Sequence, residues 1–233
     1  MTGENAGQAN WQAVSTADGT FDAYWVGPKD ADRAIILLQE IFGVNRAMRK
    51  LADWLAGQGY LVVVPDLYWR LEPHIELGYA EEEIKQALAY SERLDGAKAV
   101  EDMGATVEHV RRARPDLKGI HFLGLCLGGK LAVMGAAEIA VTSSVVFYGV
   151  GIEKDLGLLE RLKCPVQMHF GDRDRYVSAD ALKEIVSAPH SRPVEVHVYE
   201  GVDHGFFNPS RVESNTGASA LAWTRARAFL TAT

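Results

Sequence analysis

The order of elements along this chain predicts an α/β fold: one mostly parallel sheet of about eight strands, with helices on both faces. Three observations predict it. Ala34–Leu38 and Tyr60–Val64 are continuous apolar runs, the mark of strands buried on both faces. Stretches with apolar residues at helical spacing lie between the runs, so strand and helix alternate. Finally, Ile120–Lys130 passes from an apolar run through Gly124-Leu125-Cys126-Leu127-Gly128 into a small-residue apolar segment ending near Ala140. That is a strand, a sharp turn and a helix.

Residues 1–10 are polar and expected to be frayed. Trp11–Val14 and Phe21–Val26 alternate in polarity around Ala17-Asp18-Gly19, which predicts an antiparallel hairpin. Gly27-Pro28-Lys29-Asp30 ends it, and the strand Ala34–Leu38 follows. Asn45 is the expected cap of a helix with Met48, Leu51, Ala52 and Leu55 on one face, closing at Gly57 or Gly59. After the strand Tyr60–Val64, Leu67–Glu76 reads as loop. Ala80–Arg93 and Ala97–Arg114 read as helices separated near Asp95-Gly96. Beyond the sharp turn, Ser144–Tyr148 is a strand turning at Gly149-Val150-Gly151. Pro165–Phe170 is another, followed by Gly171-Asp172-Arg173-Asp174. Ala179–Val186 reads as a helix, Val194–Tyr199 as the last strand, Gly201–Gly205 as loop and Ala218–Leu230 as the final helix. No internal repeat, linker or low-complexity segment interrupts the series, so a single domain is expected.

Composition narrows the function classes. The chain has 233 residues, is 48% hydrophobic and carries a formal charge of -7, enough length for a sizeable core without covalent staples. Mild acidity with scattered Lys and Arg argues against nucleic acid as a partner. No apolar run approaches the roughly 18 residues of a membrane span, and the N-terminus lacks a signal-peptide pattern. Two cysteines, Cys126 and Cys164, are too few for a disulfide framework. The expectation is a cytoplasmic protein, a monomer or small homo-oligomer, acting on a small molecule without metal or cofactor.

Cys126 stands at the centre of G-x-C-x-G, a nucleophile elbow with cysteine in the usual place of serine. A free cysteine is often just a packing residue, but the flanking glycines favour the reactive reading. Cys164, ahead of Pro165 at a strand start, reads as core. Seven histidines compete for the role of base. His121, His169 and His197 sit inside strands, while His74, His109 and His190 lack partners in the pattern. His204 follows the last strand between Asp203 and Gly205. Asp174 is the acid candidate, with Asp172 as competitor and more naturally a turn residue. The order nucleophile, acid, histidine is that of the α/β-hydrolase fold. The acid would hold the imidazole tautomer that takes the thiol proton, and the histidine would favour the thiolate. The backbone amides of Leu127 and of Ile41, in the loop after Ala34–Leu38, are the expected oxyanion donors. Glu40 beside them is either an ordinary loop charge or a second carboxylate for the thiol.

Taken together, these residues resemble the dienelactone hydrolase family over roughly residues 20–230. Six segments carry the resemblance: Gln39–Asn45, Pro65-Asp66-Leu67-Tyr68, Gly124–Gly129, Phe147–Gly151, Gly171-x-x-Asp174 and His204-Gly205-Phe206. It implies a triad of Cys126, His204 and Asp174, with Glu40 pairing with the resting thiol until substrate rearranges the site. It also implies attack on an enol-lactone carbonyl, ring opening to an acyl-enzyme, and hydrolysis. The family's arginines for the substrate carboxylate are not matched. Asn208 stands at one place, and Ile84 and Lys85 lie at the other. Tyr148, Phe42, Phe206, Asn208 and Lys85 are the candidate substrate-binding residues. Two competing readings are the same Cys-His-Asp machinery on another ester or thioester, and a non-catalytic small-ligand binding protein on this fold.

Overall fold

The computed structural model describes residues 9–233, which divide into two compact units, the first ending at Ile120 and the second running from His121 to Thr233. Most of the stretch expected to fray, residues 1–8, lies outside the described part. Its end needs correction, because Asn10 already opens the first strand, opposite Trp25 in the hairpin ladder.

In the first unit, β1 (Asn10–Ser15) and β2 (Thr20–Val26) form the expected hairpin, closed by a Thr16 N–H to Gly19 C=O hydrogen bond of 2.8 Å. β3 (Arg33–Leu38) and β4 (Leu61–Pro65) are parallel, with Ile35 opposite Val62, and β2 pairs antiparallel with β4. The order is β1-β2-β4-β3. Ala34 through Leu38 and Val62 through Val64 are completely buried, as their unbroken apolar runs require. Burying one such side chain is worth about 1.5–3 kcal/mol, which is why the runs fix strands here rather than surface loops. Helix α1 (Arg46–Ala56) packs on β4 and β2. Its start is set by Asn45, whose Oδ1 accepts the Met48 N–H at 3.0 Å, a cap worth about 1 kcal/mol. Helix α2 (Glu81–Arg93) begins where the Glu83 carboxylate folds back onto the Gly78 and Ala80 amides. Helix α3 (Gly96–Ala113), capped by Asp95, packs on β1, β3 and β4.

In the second unit, β5 (Gly119–Leu125), which starts at the boundary, β6 (Ser143–Phe147), β7 (Val166–Gly171) and β8 (Val194–Tyr199) are parallel neighbours in that order. Helix α4 (Leu127–Glu138) packs on β6, and α6 (Thr216–Ala232) packs on β7. Helix α5 (Ala179–Ser187) packs on a 3-10 segment, Glu153–Arg161, that hydrophobic periodicity does not reveal because it is short and kinked at Asp155. The described residues thus hold eight strands, four in each unit, in a mostly parallel α/β fold. Among the described residues, no helix is long and apolar enough to cross a membrane.

Candidate active site

Strand β5 ends at Leu125 and α4 begins at Leu127, so Cys126 alone makes the turn. It does so at φ 55° and ψ -115°, a region that L-residues rarely occupy. Such a residue costs about 1–3 kcal/mol and persists only where the surroundings hold it. Here its N–H donates to the Phe147 carbonyl at 3.0 Å, and its own carbonyl accepts from Gly129 at 2.9 Å and from Lys130 at 3.3 Å. Gly124 makes the tight turn feasible. A Cβ there would lie 2.0 Å from the Gly128 carbonyl oxygen, a clash no relaxation of a side chain relieves. The Leu127 amide, at the first position of α4, sits at the positive end of the helix beside the sulfur.

The candidate base, His204, and the candidate acid, Asp174, come from the loops after β8 and β7. Their loops meet through backbone pairing: Asp172 N–H donates to Tyr199 C=O, and Arg173 N–H to Val202 C=O, each at 3.0 Å. Asp174 is fully committed. Its Oδ1 accepts the Tyr176 and Val177 amides at 2.8 and 3.2 Å, and Oδ2 accepts from His204 Nδ1 at 2.8 Å. That bond places a proton on Nδ1 and leaves Nε2 for the thiol. Both side chains are nearly inaccessible, at 3% for His204 and 0% for Asp174. Burial alone would lower the His204 pKa. Hydrogen bonds to Asp174 and to Cys126, together with the charges of both, outweigh it and push the ring up to about 10. Residues that begin 30 or more positions apart in sequence therefore form one hydrogen-bonded row, Cys126–His204–Asp174.

Two tyrosines and an ion pair frame the imidazole. Tyr148 and Tyr176 both meet it edge-on, with ring centroids 4.8 Å away. Tyr148 has φ 41° directly after β6, and its N–H donates to His169 C=O at 2.8 Å. Arg175, next to the acid, pairs with Asp203, next to the histidine, and Asp203 Oδ1 accepts the His204 N–H at 2.7 Å. Tyr176, Arg175 and Asp203 had no role in the sequence reading, because nothing in their local spacing signals that the two loops meet.

The other expected site residues are placed as follows. Glu40, Ile41 and Phe42 follow β3 in the first unit. Glu40 is buried, the Ile41 carbonyl accepts a hydrogen bond from the Tyr68 hydroxyl at 3.0 Å, and Phe42 meets Tyr79 edge-on. Lys85 lies on α2 with its ammonium on Glu82 and Glu81, at 2.8 and 3.1 Å. Phe206 is buried between Tyr148 and Tyr199, and Asn208 is buried with its Oδ1 accepting the Ser210 amide at 3.0 Å. Asp172 is a turn residue, its Oδ1 accepting the Gly201 amide at 2.7 Å. Cys164 is buried, and that burial pushes its thiol up to about 12, the opposite of a nucleophile's environment.

The model of the dienelactone hydrolase family matches residues 21–233. A carboxymethylenebutenolidase of Pseudomonas putida is 36% identical over 222 residues, 94% of this chain and 94% of its own. Carboxymethylenebutenolidase 1 of Cupriavidus pinatubonensis is 35% identical over 219 residues, covering 92% of each chain. In structure, a Klebsiella pneumoniae protein assigned as a dienelactone hydrolase superposes with a TM-score of 0.87 over 98% of this chain and 99% of its own. The sequences of that pair are 24% identical, so the likeness speaks to the fold.

Proposed function

The chain belongs to the dienelactone hydrolase family, and from that premise we propose that Cys126 is its nucleophile, His204 its base and Asp174 the residue that orients the base. It is a hydrolase of lactones or esters, acting on a small molecule. One observation carries the mechanism: His204 is hydrogen-bonded to both Asp174 and Cys126 and raised to about 10. A ring so poised takes the thiol proton and holds it as an imidazolium while the sulfur attacks.

The cycle follows from these partners. The Cys126 sulfur forms a bond to the carbonyl carbon, and the carbonyl oxygen becomes an oxyanion. The Leu127 amide at the start of α4 receives it. Collapse breaks the ring C–O bond, the leaving oxygen takes the proton from His204, and the acyl group stays on sulfur. Water then gives a proton to His204 and its oxygen to the acyl carbon, and the thioester bond breaks to restore Cys126. Glu40 and the Ile41 amide complete the proposed set of site residues. The roles of Glu40 and Ile41 rest on the family motif Gln39–Asn45. We read residues 21–233 as one catalytic domain, since a single family model runs through them.

A second reading, the same chemistry on a neutral ester or thioester, is favoured by one observation. Lys85, with Arg70 and Arg93 a candidate to stand in for an unmatched arginine, is already held by Glu81 and Glu82. A carboxylated substrate needs a cation to bind and orient it. The test is hydrolysis of cis- and trans-dienelactone beside a neutral aryl ester, with wild type, Cys126→Ser and Cys126→Ala. Turnover that persists in Cys126→Ala would sink the nucleophile assignment. Dienelactone turnover well above that of the ester, lost in the variants, supports the first reading; ester turnover alone supports the second.

A further inference from the structure

The last strand of the second unit lies at a sheet edge. Among the described residues β8 has one strand neighbour, β7, so the other side of Val194–Tyr199 pairs with no strand. The ladder fixes where its backbone groups point. Pro193 C=O accepts the Val166 N–H, and Tyr199 C=O accepts the Asp172 N–H, each at 3.0 Å. The odd-numbered residues therefore turn their hydrogen-bonding groups toward β7. Alternate residues of a strand face opposite sides, so the N–H and C=O of Val194, Val196 and Val198 point outward from the edge. An open row of this kind is a template for another strand, and proteins commonly blunt it with lysine, proline or a bulge. Val194–Tyr199 holds neither lysine nor proline, and it pairs with β7 residue for residue, without a bulge. Its valines favour strand pairing, and Val198 is 48% exposed.

Read in both directions from Val196, the segment Arg192–Glu200 is its own complement. Two copies laid antiparallel, with Val196 opposite Val196, put Val194 against Val198, Glu195 against His197 and Arg192 against Glu200. A two-fold axis makes each of these contacts occur twice. Val196 with Val196, and Val194 with Val198, are pairs whose outward N–H and C=O face each other, so each pair exchanges both bonds. Moving the axis by one residue sets Glu195 against Glu195 or His197 against His197, and it parts Arg192 from Glu200. Both of those end residues are exposed. Glu195 is prepared for its place: Oε2 accepts the Gln167 amide at 2.7 Å and lies 3.6 Å from its own His197 Nε2. The carboxylate is thus fixed on the face where the His197 of a second copy would arrive.

We propose that this chain binds a second copy of itself through β8, antiparallel and centred on Val196, so that the second units of the two copies share one continued sheet. Strand addition draws its affinity from main-chain hydrogen bonds. Opposite charges facing each other across the pair select the register. Contact along one strand is small, so the dimer dissociates on dilution.

The test is sedimentation velocity over protein concentrations from micromolar to millimolar. The monomer should convert to twice its mass, and amide exchange at Val194, Val196 and Val198 should slow as it does. Val196→Pro removes an N–H that faces away from β7, so the ladder behind it is kept while the new pairing is blocked. That variant should stay monomeric, with turnover within about twofold of wild type as the check on its fold. Arg192→Glu sets like charges opposite each other at both ends and should weaken the dimer about tenfold. Adding Glu200→Arg exchanges the two charges and should restore affinity to within about threefold of wild type. A monomer at every concentration overturns the inference. So does a dimer that survives Val196→Pro or is indifferent to Arg192→Glu, since its contact would lie elsewhere. A loss in Arg192→Glu that Glu200→Arg fails to restore overturns it as well.

Discussion

Two buried histidines in the second unit have opposite fates. His204, in the loop after β8, is pushed up to about 10, whereas His169, in the middle of β7, is pushed down to about 3. Burial favours the neutral ring in both cases. Their partners decide the sign. Around His204 stand the Asp174 carboxylate and the Cys126 thiol. Around His169 the hydrogen-bonding partners are neutral, the Tyr199 hydroxyl at 2.8 Å and Gln167 Oε1 at 3.0 Å, and the charges of His197 and Arg225 lower it further. Gln167 spends its amide N–H on Glu195, so its oxygen accepts the Nε2–H of His169, and Nδ1 accepts from Tyr199. His169 also stacks on Phe147, at 4.8 Å and 14°, and Phe147 in turn stacks on Phe207. One histidine is held ready to carry a proton; the other is a polar strut in an aromatic layer.

Removing the charge that separates them should have the largest effect. Asp174→Asn offers His204 no carboxylate and can stabilise the wrong tautomer, so kcat should fall on the order of 10²–10⁴-fold. Imidazole titration by NMR should show His204 moving down while His169 stays silent in the working range. Turnover close to wild type in Asp174→Asn would end the distinction drawn between the two rings.

The pH dependence of stability comes next, and it has two limbs. His204 is raised above its unfolded value near 6.5, so its contribution is complete below that pH and is lost as pH climbs toward about 10. His169 is depressed, so its contribution is present above 6.5 and is lost as pH falls toward about 3. Urea unfolding across this range should therefore weaken on both sides. Cys126→Ala removes one of the groups that raise His204, and should flatten the alkaline limb only. Equal change on both limbs would show that the two histidines are not independent.

The smallest effect sharpens the comparison from the other side. Tyr199→Phe takes from His169 its hydroxyl donor and leaves a buried ring nitrogen unsatisfied, a cost of about 1–3 kcal/mol in unfolding free energy. Turnover should stay within about threefold, because the aromatic stack rather than the proton of His169 supports the strand behind Cys126. A collapse of kcat with little change in stability would reassign His169 to the chemistry.

The elbow was legible from sequence because its requirements are local. Gly124, Cys126 and Gly128 sit at fixed spacing around one turn, and the strain at φ 55° is resolved by the residues that surround it in the chain. The apolar runs were legible for the same reason: a strand buried on both faces must be apolar throughout, as Ile35–Leu38 are. The 3-10 segment Glu153–Arg161 was not, since a short kinked turn imposes no periodicity. Nor was the Arg175–Asp203 pair, which links loops 28 residues apart.

By itself, then, the sequence determined the run of strands and helices, the turn that lifts Cys126, and the chain order of Cys126, Asp174 and His204. Backbone sterics and hydrophobic periodicity act between near neighbours, and near neighbours are what a sequence displays. Only the tertiary structure decided that His204 carries a raised pKa and His169 a lowered one, which tautomer His204 holds, and that the Tyr68 hydroxyl lands on Ile41. A pKa depends on the charges and the solvent within a few ångströms of the ring. A single hydrogen bond needs its partners within about 3 Å. Folding brings together groups that the chain keeps dozens of residues apart.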